Sequence, residues 1–296
     1  MNIHYSNALI KPYSSKLLLK MARFFVHKIN PNDFFIKFIR KQIFNGPLYV
    51  LSFDLDFEKD YKALPTILKV LEKHDLKACF AVIGKFVEKY PDIHRRVVNE
   101  GHELINHTYT HPDNPHWNSS RTFNKLTYKE QKEEIEKAHE VIYKITGYEC
   151  IGFRTPHFGN LHTESVYYIL KELGYRYSSS TAACSTEGFG APYRHKSGII
   201  EIPLGGSLDF PLAVFDSWNM RKKAKPMVKN DEEFLREFEE TIKIVAKEKK
   251  FLTHYFDPYD IVENNKIEVI STILENKIIT KTYQFVIDKY ISDMQL

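Results

Sequence analysis

Short apolar runs alternate with segments of helical periodicity from residue 47 to the end of the chain. The first run, PLYVLSF (47–53), has the character of a buried strand. Six further runs of the same kind bring the prediction to seven strands, and they are KACFAVIG (77–84), HELIN (102–106), ECIGF (149–153), YRYSSS (175–180), IIEIPLG (199–205) and FLTHYF (251–256).

Between these runs, apolar residues recur every three or four positions, which predicts amphipathic helices. The helix predicted from Thr127 to Gly147 has clear limits, because Thr127 and Glu130 match a T-x-x-E capping box and Gly147 suits a C-terminal end. Pro91 and Gly101 delimit a shorter helix in the same way. The other predicted helices are KALPTILKVLEKHD (62–75), ESVYYILKELG (164–174), DEEFLREFEETIKIVAKEKK (231–250) and IEVISTILEN (267–276).

The alternation of strands and helices predicts parallel strands joined by right-handed crossovers, with helices that cover the sheet. We therefore expect an α/β fold in which residues 46–296 form one domain. Residues 1–45 form a basic, amphipathic helical extension in this interpretation.

The N-terminal extension has apolar and basic faces. Residues 16–29 place Leu18, Met21 and Phe25 on one side of a predicted helix, and NPNDFFIKFIRKQIF (30–44) predicts a second short basic helix. We favour packing of both apolar faces on the main domain. The alternative is peripheral contact of residues 16–44 with an anionic membrane surface.

Composition and charge narrow the class of protein. The 296 residues are 43% apolar and 27% charged, which is ordinary for a soluble globular protein and speaks against disorder. Residues 1–50 carry eight Lys/Arg residues and one acidic residue, a net charge of +7 (8 − 1), so the rest of the chain carries −3 (4 − 7). A mildly acidic body speaks against nucleic acid as the main partner.

Cysteine use and hydropathy predict a cytoplasmic protein. Cys79, Cys150 and Cys184 are far apart and have no zinc-finger spacing, so we expect core thiols in a reducing compartment. No run has the length of a transmembrane helix, and the first residues lack the pattern of a signal peptide. The extension leaves open a peripheral location at the inner face of the membrane.

Polar side chains suited to catalysis follow the predicted strands, at the edge of the sheet where active sites form in such folds. Asp54 and Asp56 end the first strand in SFDLD, and His107 and His111 follow the third strand in NHTYTH. Asp56, His107 and His111 together suit a catalytic divalent metal such as zinc. The alternative is that the two aspartates only cap the next turn.

Three residues have candidate roles around such a metal. Asp54 is left without a ligand role and can act as the general base. Arg154, in GFRTPHF, would keep that carboxylate ionised and oriented, or else form an ordinary salt bridge at the rim. His254, in the seventh strand, is a candidate general acid, or else a satisfied core histidine.

The motifs SFDLD, NHTYTH, FRTPHF and LTHYFDP resemble, in order and approximate spacing, those of the polysaccharide deacetylase family, also called the NodB homology or carbohydrate esterase 4 family. The resemblance covers residues 48–260. It implies a distorted barrel of seven parallel strands and a divalent metal, often zinc, in enzymes that remove acetyl groups from N- or O-acetylated sugars. The roles it implies are the base for Asp54, the metal ligands for Asp56, His107 and His111, the residue that orients the base for Arg154, and the acid for His254.

The chain departs from the commonest family pattern in several places. One residue separates the two aspartates, as in a branch with peptidoglycan deacetylases and allantoinase-like ring-amide hydrolases. His157 stands where the third motif usually has an aromatic residue. The late motif can also be aligned through Asp257 and Pro258, because a proline often follows the acid in this branch.

Together these features predict a metal-dependent hydrolase that removes an acetyl group from a sugar in a cytoplasmic glycan precursor, linked to a nucleotide or to a lipid. One alternative is a hydrolase of a small cyclic amide or ureide, which would use the same metal. The other is a non-catalytic glycan-binding protein, and the full set of six polar residues speaks against it.

Overall fold

The computed structural model describes residues 25–26, 30–44, 46–158, 161–186, 188–218 and 229–294. The first predicted helix of the extension, residues 16–29, lies outside this part of the chain except for Phe25 and Val26. Within the described ranges, no helix combines the length and the apolar character that crossing a bilayer requires.

One mainly parallel sheet organises the described residues. Its strands are β1 Leu48–Leu55, β2 Cys79–Val82, β3 Glu103–Asn106, β4 Gly152–Phe153, β5 Tyr177–Ser178, β6 Tyr193–Arg194, β7 Ile200–Glu201, β8 Phe251–Phe256 and β9 Ile279–Thr280. They stand in the order β6-β7-β5-β4-β3-β2-β1-β8, with β9 beside β1, and only the β6–β7 pair is antiparallel. The seven strands predicted from the sequence are β1 to β5, β7 and β8, and all seven are confirmed.

Helices connect the strands, and most of them cover the outer face of the sheet. They are α1 Pro31–Arg40, α2 Glu58–Lys73, α3 Gly84–Lys89, α4 Pro91–Asn99, α5 Tyr128–Thr146, α6 Glu164–Glu172, α7 Asp231–Lys247, α8 Pro258–Val262, α9 Lys266–Lys277 and α10 Tyr283–Met294. The predicted capping box of α5 is confirmed, and Gly147 ends that helix with a φ of 71°. The sequence pattern did not predict α3 and α8, which are short, or α10, which follows the helix taken as the last.

Alternate residues of β1 point to opposite faces of the sheet. Tyr49 and Leu51 face outward and join the core formed with α2 and α7. Val50 faces inward, into a second core formed by residues of several strands and of α10. The same alternation makes Ser52 and Asp54 inward residues, so the strand carries polar side chains into the interior near its C-terminal end.

The two ends of the sheet approach each other, so that it curls into an incomplete barrel. The N–H of Gly205, just beyond β7, donates to the carbonyl oxygen of Thr253 in β8 at 2.8 Å. A Cβ at position 205 would lie 2.3 Å from Leu252 Cδ1 and 3.2 Å from the carbonyl oxygen of Thr253, so this close approach favours glycine. The expected distorted barrel is therefore confirmed in an incompletely closed form.

Helix α1 covers this seam with its apolar face. Phe35, Phe38 and Ile39 are buried against residues on both sides of the seam. Beyond the helix, the side chain of Gln42 accepts from the N–H of Phe251 and donates to its carbonyl oxygen, both at 3.1 Å. The second helix of the extension thus packs on the domain, whereas the domain boundary and membrane contact stay predictions.

Helix α10 closes the end of the barrel where the strands begin. The N–H of Tyr283 donates to Cys79 Sγ at 3.4 Å, and the N–H of Gln284 donates to the Glu103 carboxylate at 2.9 Å. Cys79 and Glu103 are the first residues of β2 and β3. The ring of Tyr283 therefore enters the barrel from the end opposite to the predicted site.

Candidate active site

Five of the six polar residues predicted for the site lie at the edge of the sheet where the strands end. They are Asp54 and Asp56 at the end of β1, His107 and His111 after β3, and Arg154 after β4. The sixth residue, His254, does not join them. Topology thus brings together side chains that are as many as 100 positions apart in the chain.

Asp56, His107 and His111, named here the metal-donor cluster, have the geometry of metal ligands. One ligand atom from each residue lies within 4.8 Å of the others, and no other such group of three occurs in the described ranges. Asp56 Oδ1 lies 3.4 Å from His107 Nε2 and 3.7 Å from His111 Nε2. His107 Nδ1 donates to the carbonyl oxygen of Arg154 at 2.8 Å, so Nε2 is the ring atom that can bind a cation when it carries no proton.

Backbone hydrogen bonds fix the loop that carries His111. The N–H of Thr108 donates to Asn106 Oδ1 at 2.8 Å, and the N–H of His111 donates to Thr108 Oγ1 at 3.1 Å. Thr108 and His111 have φ values of 69° and 53°, which residues other than glycine seldom adopt. Glu134 of α5 accepts from the N–H and the hydroxyl of Thr110 at 2.8 and 2.7 Å, and so holds this strained turn in place.

The metal-donor cluster fits a divalent cation. Asp56 Oδ1 and His111 Nε2 are buried without a hydrogen-bond partner, although buried polar atoms are nearly always paired. Burial acts to raise the pKa of Asp56, but the adjacent His111 and His107 hold it below its usual value. Burial lowers the pKa of His111 to about 3, so its ring is neutral and able to bind a metal. Two imidazoles and one carboxylate can therefore hold a cation of the zinc type.

Asp54 and Arg154 form a buried ion pair beside this cluster. Arg154 Nη1 donates to Asp54 Oδ1 at 2.5 Å, and both side chains are buried. Burial raises the pKa of Asp54, and the positive charge of Arg154 opposes that shift. The structure thus brings into contact the two residues that the sequence suggested as base and orienting residue.

Serine and tyrosine hydroxyl groups fix the rest of the guanidinium. Arg154 Nε donates to the carbonyl oxygen of Ser179 at 3.1 Å, and Nη2 donates to Ser52 Oγ, Ser179 Oγ and the Tyr283 hydroxyl. None of these partners was predicted. Ser52 has a local signal, because it lies two residues before Asp54 on the same face of β1. Ser179 and Tyr283 have none, because their contacts depend on how the barrel closes.

His254 is a core residue, which corrects its predicted role as the general acid. It stands beside the outward residue Leu51 in the β1–β8 ladder, so it lies on the opposite face of the sheet from Asp54. Its Nε2 donates to the carbonyl oxygen of Gly206 at 3.0 Å, and its Nδ1 accepts from the Tyr49 hydroxyl at 3.2 Å. Burial lowers the pKa of His254 to about 4, as expected of a neutral core imidazole.

Asp257 lies on the inward face at the end of β8. The last ladder pair joins Phe53 to Phe256, and Asp54 and Asp257 are the next residues of the two chain segments, at the same edge of the sheet. Ser217 Oγ donates to Asp257 Oδ2 at 3.3 Å, and the N–H of Asp257 donates to Ser217 Oγ at 2.8 Å. Burial, followed by the charges of nearby aspartates, raises the pKa of Asp257 well above its usual value. This is the residue given by the second alignment of the late motif.

Apolar side chains adjoin the charged centre on one side. Leu204, Val214 and Tyr255 form a small cluster, and the ring of Phe158 packs edge-on against Tyr255 at a centroid distance of 5.0 Å. The Tyr255 ring centroid lies 5.8 Å from Arg154 Cζ. Asp54 is therefore bound to Arg154, and a small cluster of apolar side chains lies next to this ion pair.

Comparison with known proteins identifies relatives over the first half of the domain. Residues 42–178 match the family model described as polysaccharide deacetylase. The chain is 34% identical over 116 residues to a peptidoglycan-N-acetylglucosamine deacetylase of Bacillus cereus. The aligned residues cover 38% of this chain and 39% of that protein. It is 33% identical over 126 residues to the peptidoglycan-N-acetylmuramic acid deacetylase PdaA of Bacillus subtilis, and this alignment covers 43% of each of the two chains. The chain thus spans about two fifths of the length of these relatives.

Solved structures share the fold over most of the chain. A protein from Mycobacterium smegmatis gives a TM-score of 0.69 at 12% identity, over 85% of this chain and 93% of that chain. A probable polysaccharide deacetylase from Pseudomonas aeruginosa PAO1 gives a TM-score of 0.65 at 13% identity, over 83% of this chain and 91% of that chain. At these identities the likeness concerns the fold, and it confirms the expected type of barrel. Residues 42–178, which include every site residue from Asp54 to Arg154, are thus similar to the polysaccharide deacetylase family.

Proposed function

We propose that the chain is a metal-dependent hydrolase that removes an N-acetyl, or O-acetyl, group from a sugar. The observation that carries the proposal is the buried Asp54–Arg154 pair directly beside Asp56, His107 and His111. A base held by an arginine next to unpartnered metal donors serves hydrolysis, whereas a protein that only binds a glycan needs neither. The family of the matched segment supports a sugar acyl group as the target.

The residues of the site have complementary tasks in this reaction. A cation bound by the metal-donor cluster would polarise the acyl carbonyl and lower the pKa of a bound water. Asp54 accepts the proton of the attacking water on Oδ2, because its Oδ1 is bound to Arg154. Asp257 gives its proton to the leaving nitrogen or oxygen while the bond from that atom to the acyl carbon breaks. The products are acetate and a free amino sugar or alcohol.

The Asp257→Asn variant should have a kcat about 10²-fold below that of the wild type on an N-acetylated sugar, because the leaving amine loses its proton donor. The matched variant His254→Gln should keep a kcat near the wild-type value, since a glutamine amide can still donate to the carbonyl oxygen of Gly206. Steady-state kinetics measures both values, with thermal unfolding as the check on folding.

An activated ester separates proton donation by Asp257 from other causes of a lower rate. The leaving group of 4-nitrophenyl acetate needs no proton, so the defect of Asp257→Asn should shrink on that substrate. An equal defect on the ester and on the amide would contradict proton donation by Asp257. A larger loss in His254→Gln would instead return the role of acid to His254.

We also propose zinc as the metal and a cytoplasmic glycan precursor, linked to a nucleotide or a lipid, as the substrate. Two imidazoles and one carboxylate are a common ligand set of catalytic zinc. Cys79, Cys150 and Cys184 are buried and form no disulfide, as expected of core thiols, and this supports a reducing compartment.

Acetate release tests the proposed function. The zinc-loaded protein is incubated with N-acetylated sugars that are free, nucleotide-linked or lipid-linked, and acetate is measured with and without a chelator. Release that stops with the chelator supports a metal-dependent deacetylase. Ring opening of a cyclic amide or ureide without acetate release would favour the alternative hydrolase, and glycan binding without turnover would favour a binding protein.

A further inference from the structure

We propose that Tyr283 is a positioning residue of the active site, which acts through Arg154 on the base Asp54. This inference rests on the proposed hydrolase function, because it assigns a task to a residue behind the base. Tyr283 is the first residue of α10, the helix that closes the far end of the barrel. The C-terminal helix would therefore be part of the catalytic apparatus as well as of the fold.

The Tyr283 hydroxyl is the oxygen nearest to Arg154 Nη2. It lies at 2.8 Å, compared with 3.1 Å for Ser52 Oγ and 3.2 Å for Ser179 Oγ. Nη2 has two hydrogens for these three acceptors, so the closest oxygen has the largest influence on the orientation of the group. The other end of the same planar fork, Nη1, donates to Asp54. A rotation of the guanidinium would therefore move the hydrogen bond that orients the base.

The Tyr283 hydroxyl is itself tied to the barrel wall. Its oxygen accepts from Arg154, so its own hydrogen points to another acceptor, and Thr253 Oγ1 lies 2.7 Å away. Ser179 Oγ, at 3.2 Å, donates to the Tyr283 hydroxyl, and Ser52 Oγ is more distant at 3.4 Å. Tyr283 thus connects Arg154 to β8, and a charged donor makes this chain of hydrogen bonds stronger than a neutral one.

Burial prevents Tyr283 and Arg154 from finding substitute partners. Both side chains have no exposed surface. The ring of Tyr283 packs against the ring of Tyr177 at a centroid distance of 5.4 Å, and its backbone N–H donates to Cys79 Sγ. Without the Tyr283 hydroxyl, Nη2 would keep only its two longer bonds, because water does not reach it. The expected consequence is a less strictly oriented base.

The Tyr283→Phe variant should have a kcat about tenfold lower than the wild type, with KM and zinc content unchanged, because one hydrogen bond to a buried charge is lost. Tyr177→Phe is the matched control, since that hydroxyl is equally buried and donates to Glu103 at 2.6 Å rather than bonding to Arg154. It should lower the melting temperature to a similar degree and leave kcat unchanged. In an Arg154→Lys background, Tyr283→Phe should cause no further loss of kcat.

The ¹⁵N signals of the Arg154 guanidinium provide a measurement that needs no turnover, and their absence in Arg154→Lys assigns them. Tyr283→Phe should shift and broaden the Nη signals, and Tyr177→Phe should leave them unchanged. Unchanged signals in Tyr283→Phe, or an equal loss of kcat in Tyr177→Phe, would overturn the proposal. If the wild type hydrolyses no acetylated sugar, the proposed function fails, and the signals still decide whether Tyr283 orients Arg154.

Discussion

The His111→Ala variant is expected to lose tight zinc binding, and its hydrolysis of acetylated sugars should fall to the background rate. His111 Nε2 is one of three donors in the metal-donor cluster and lies 3.7 Å from Asp56 Oδ1. A catalytic zinc ion normally has three protein ligands, and a site with two ligands holds it weakly. Calorimetric titration of the metal-free proteins should find one equivalent bound by the wild type and none by the variant at the same concentration.

Thermal unfolding provides a second measure of zinc binding that does not depend on turnover. A ligand that binds only the folded state raises the melting temperature, so zinc should stabilise the wild type and not His111→Ala. His157→Ala is the matched control, because its ring lies 4.9 Å from that of His111 and is about half exposed, outside the metal-donor cluster. It should still bind one equivalent. Wild-type zinc affinity in His111→Ala would refute the metal site.

The central residues of the site could be predicted because their signals are local. Asp54 and Asp56 interrupt an apolar run, and His107 and His111 have a spacing of four residues. The rule that parallel strands end at one edge of a sheet then brings these side chains together without any knowledge of distances. The same local character explains why the seven longer strand signals and the capped helix α5 were predicted correctly.

The face of a fully buried strand could not be predicted in this way. All six residues of FLTHYF (251–256) are buried, so no alternation of polar and apolar residues tells the inward side from the outward side. Only the register with β1 reveals that His254 faces the helices. Asp257, one residue beyond the strand, has the inward position that the sequence pattern assigned to His254.

Support for the base depends on contacts that are still more distant in the chain. Arg154 and Tyr283 are 129 positions apart, and their hydrogen bond exists only because α10 closes the end of the barrel and places the Tyr283 ring inside it. The segment YQFVIDKYISDM (283–294) has no motif that relates it to a catalytic site. The role of Tyr283 depends on the curled sheet, which brings its hydroxyl to Arg154.

The Asp54→Asn variant should lose about 10³- to 10⁴-fold in kcat while its zinc content stays at the wild-type level, because the water would have no base to accept its proton. Asparagine has the shape of aspartate and keeps an oxygen that can accept from Arg154 Nη1. The neutral side chain leaves a buried guanidinium without its counter-charge, so a lower melting temperature is expected as well. Kinetics, metal analysis and thermal unfolding of one preparation separate these effects.

Asp60→Asn is the matched control, since Asp60 is a second buried acid close to the site. It accepts from the N–H groups of Phe57 and Tyr259 at 2.8 and 3.4 Å. Burial raises the pKa of Asp60 to about 8, so the group is mainly protonated at neutral pH and asparagine hardly changes its charge. Its kcat should stay near the wild-type value. Undiminished turnover in Asp54→Asn with full zinc content would show that Asp54 is not the base. Equal losses of kcat in Asp54→Asn and Asp60→Asn would show that the two acids act through their common environment rather than by proton transfer.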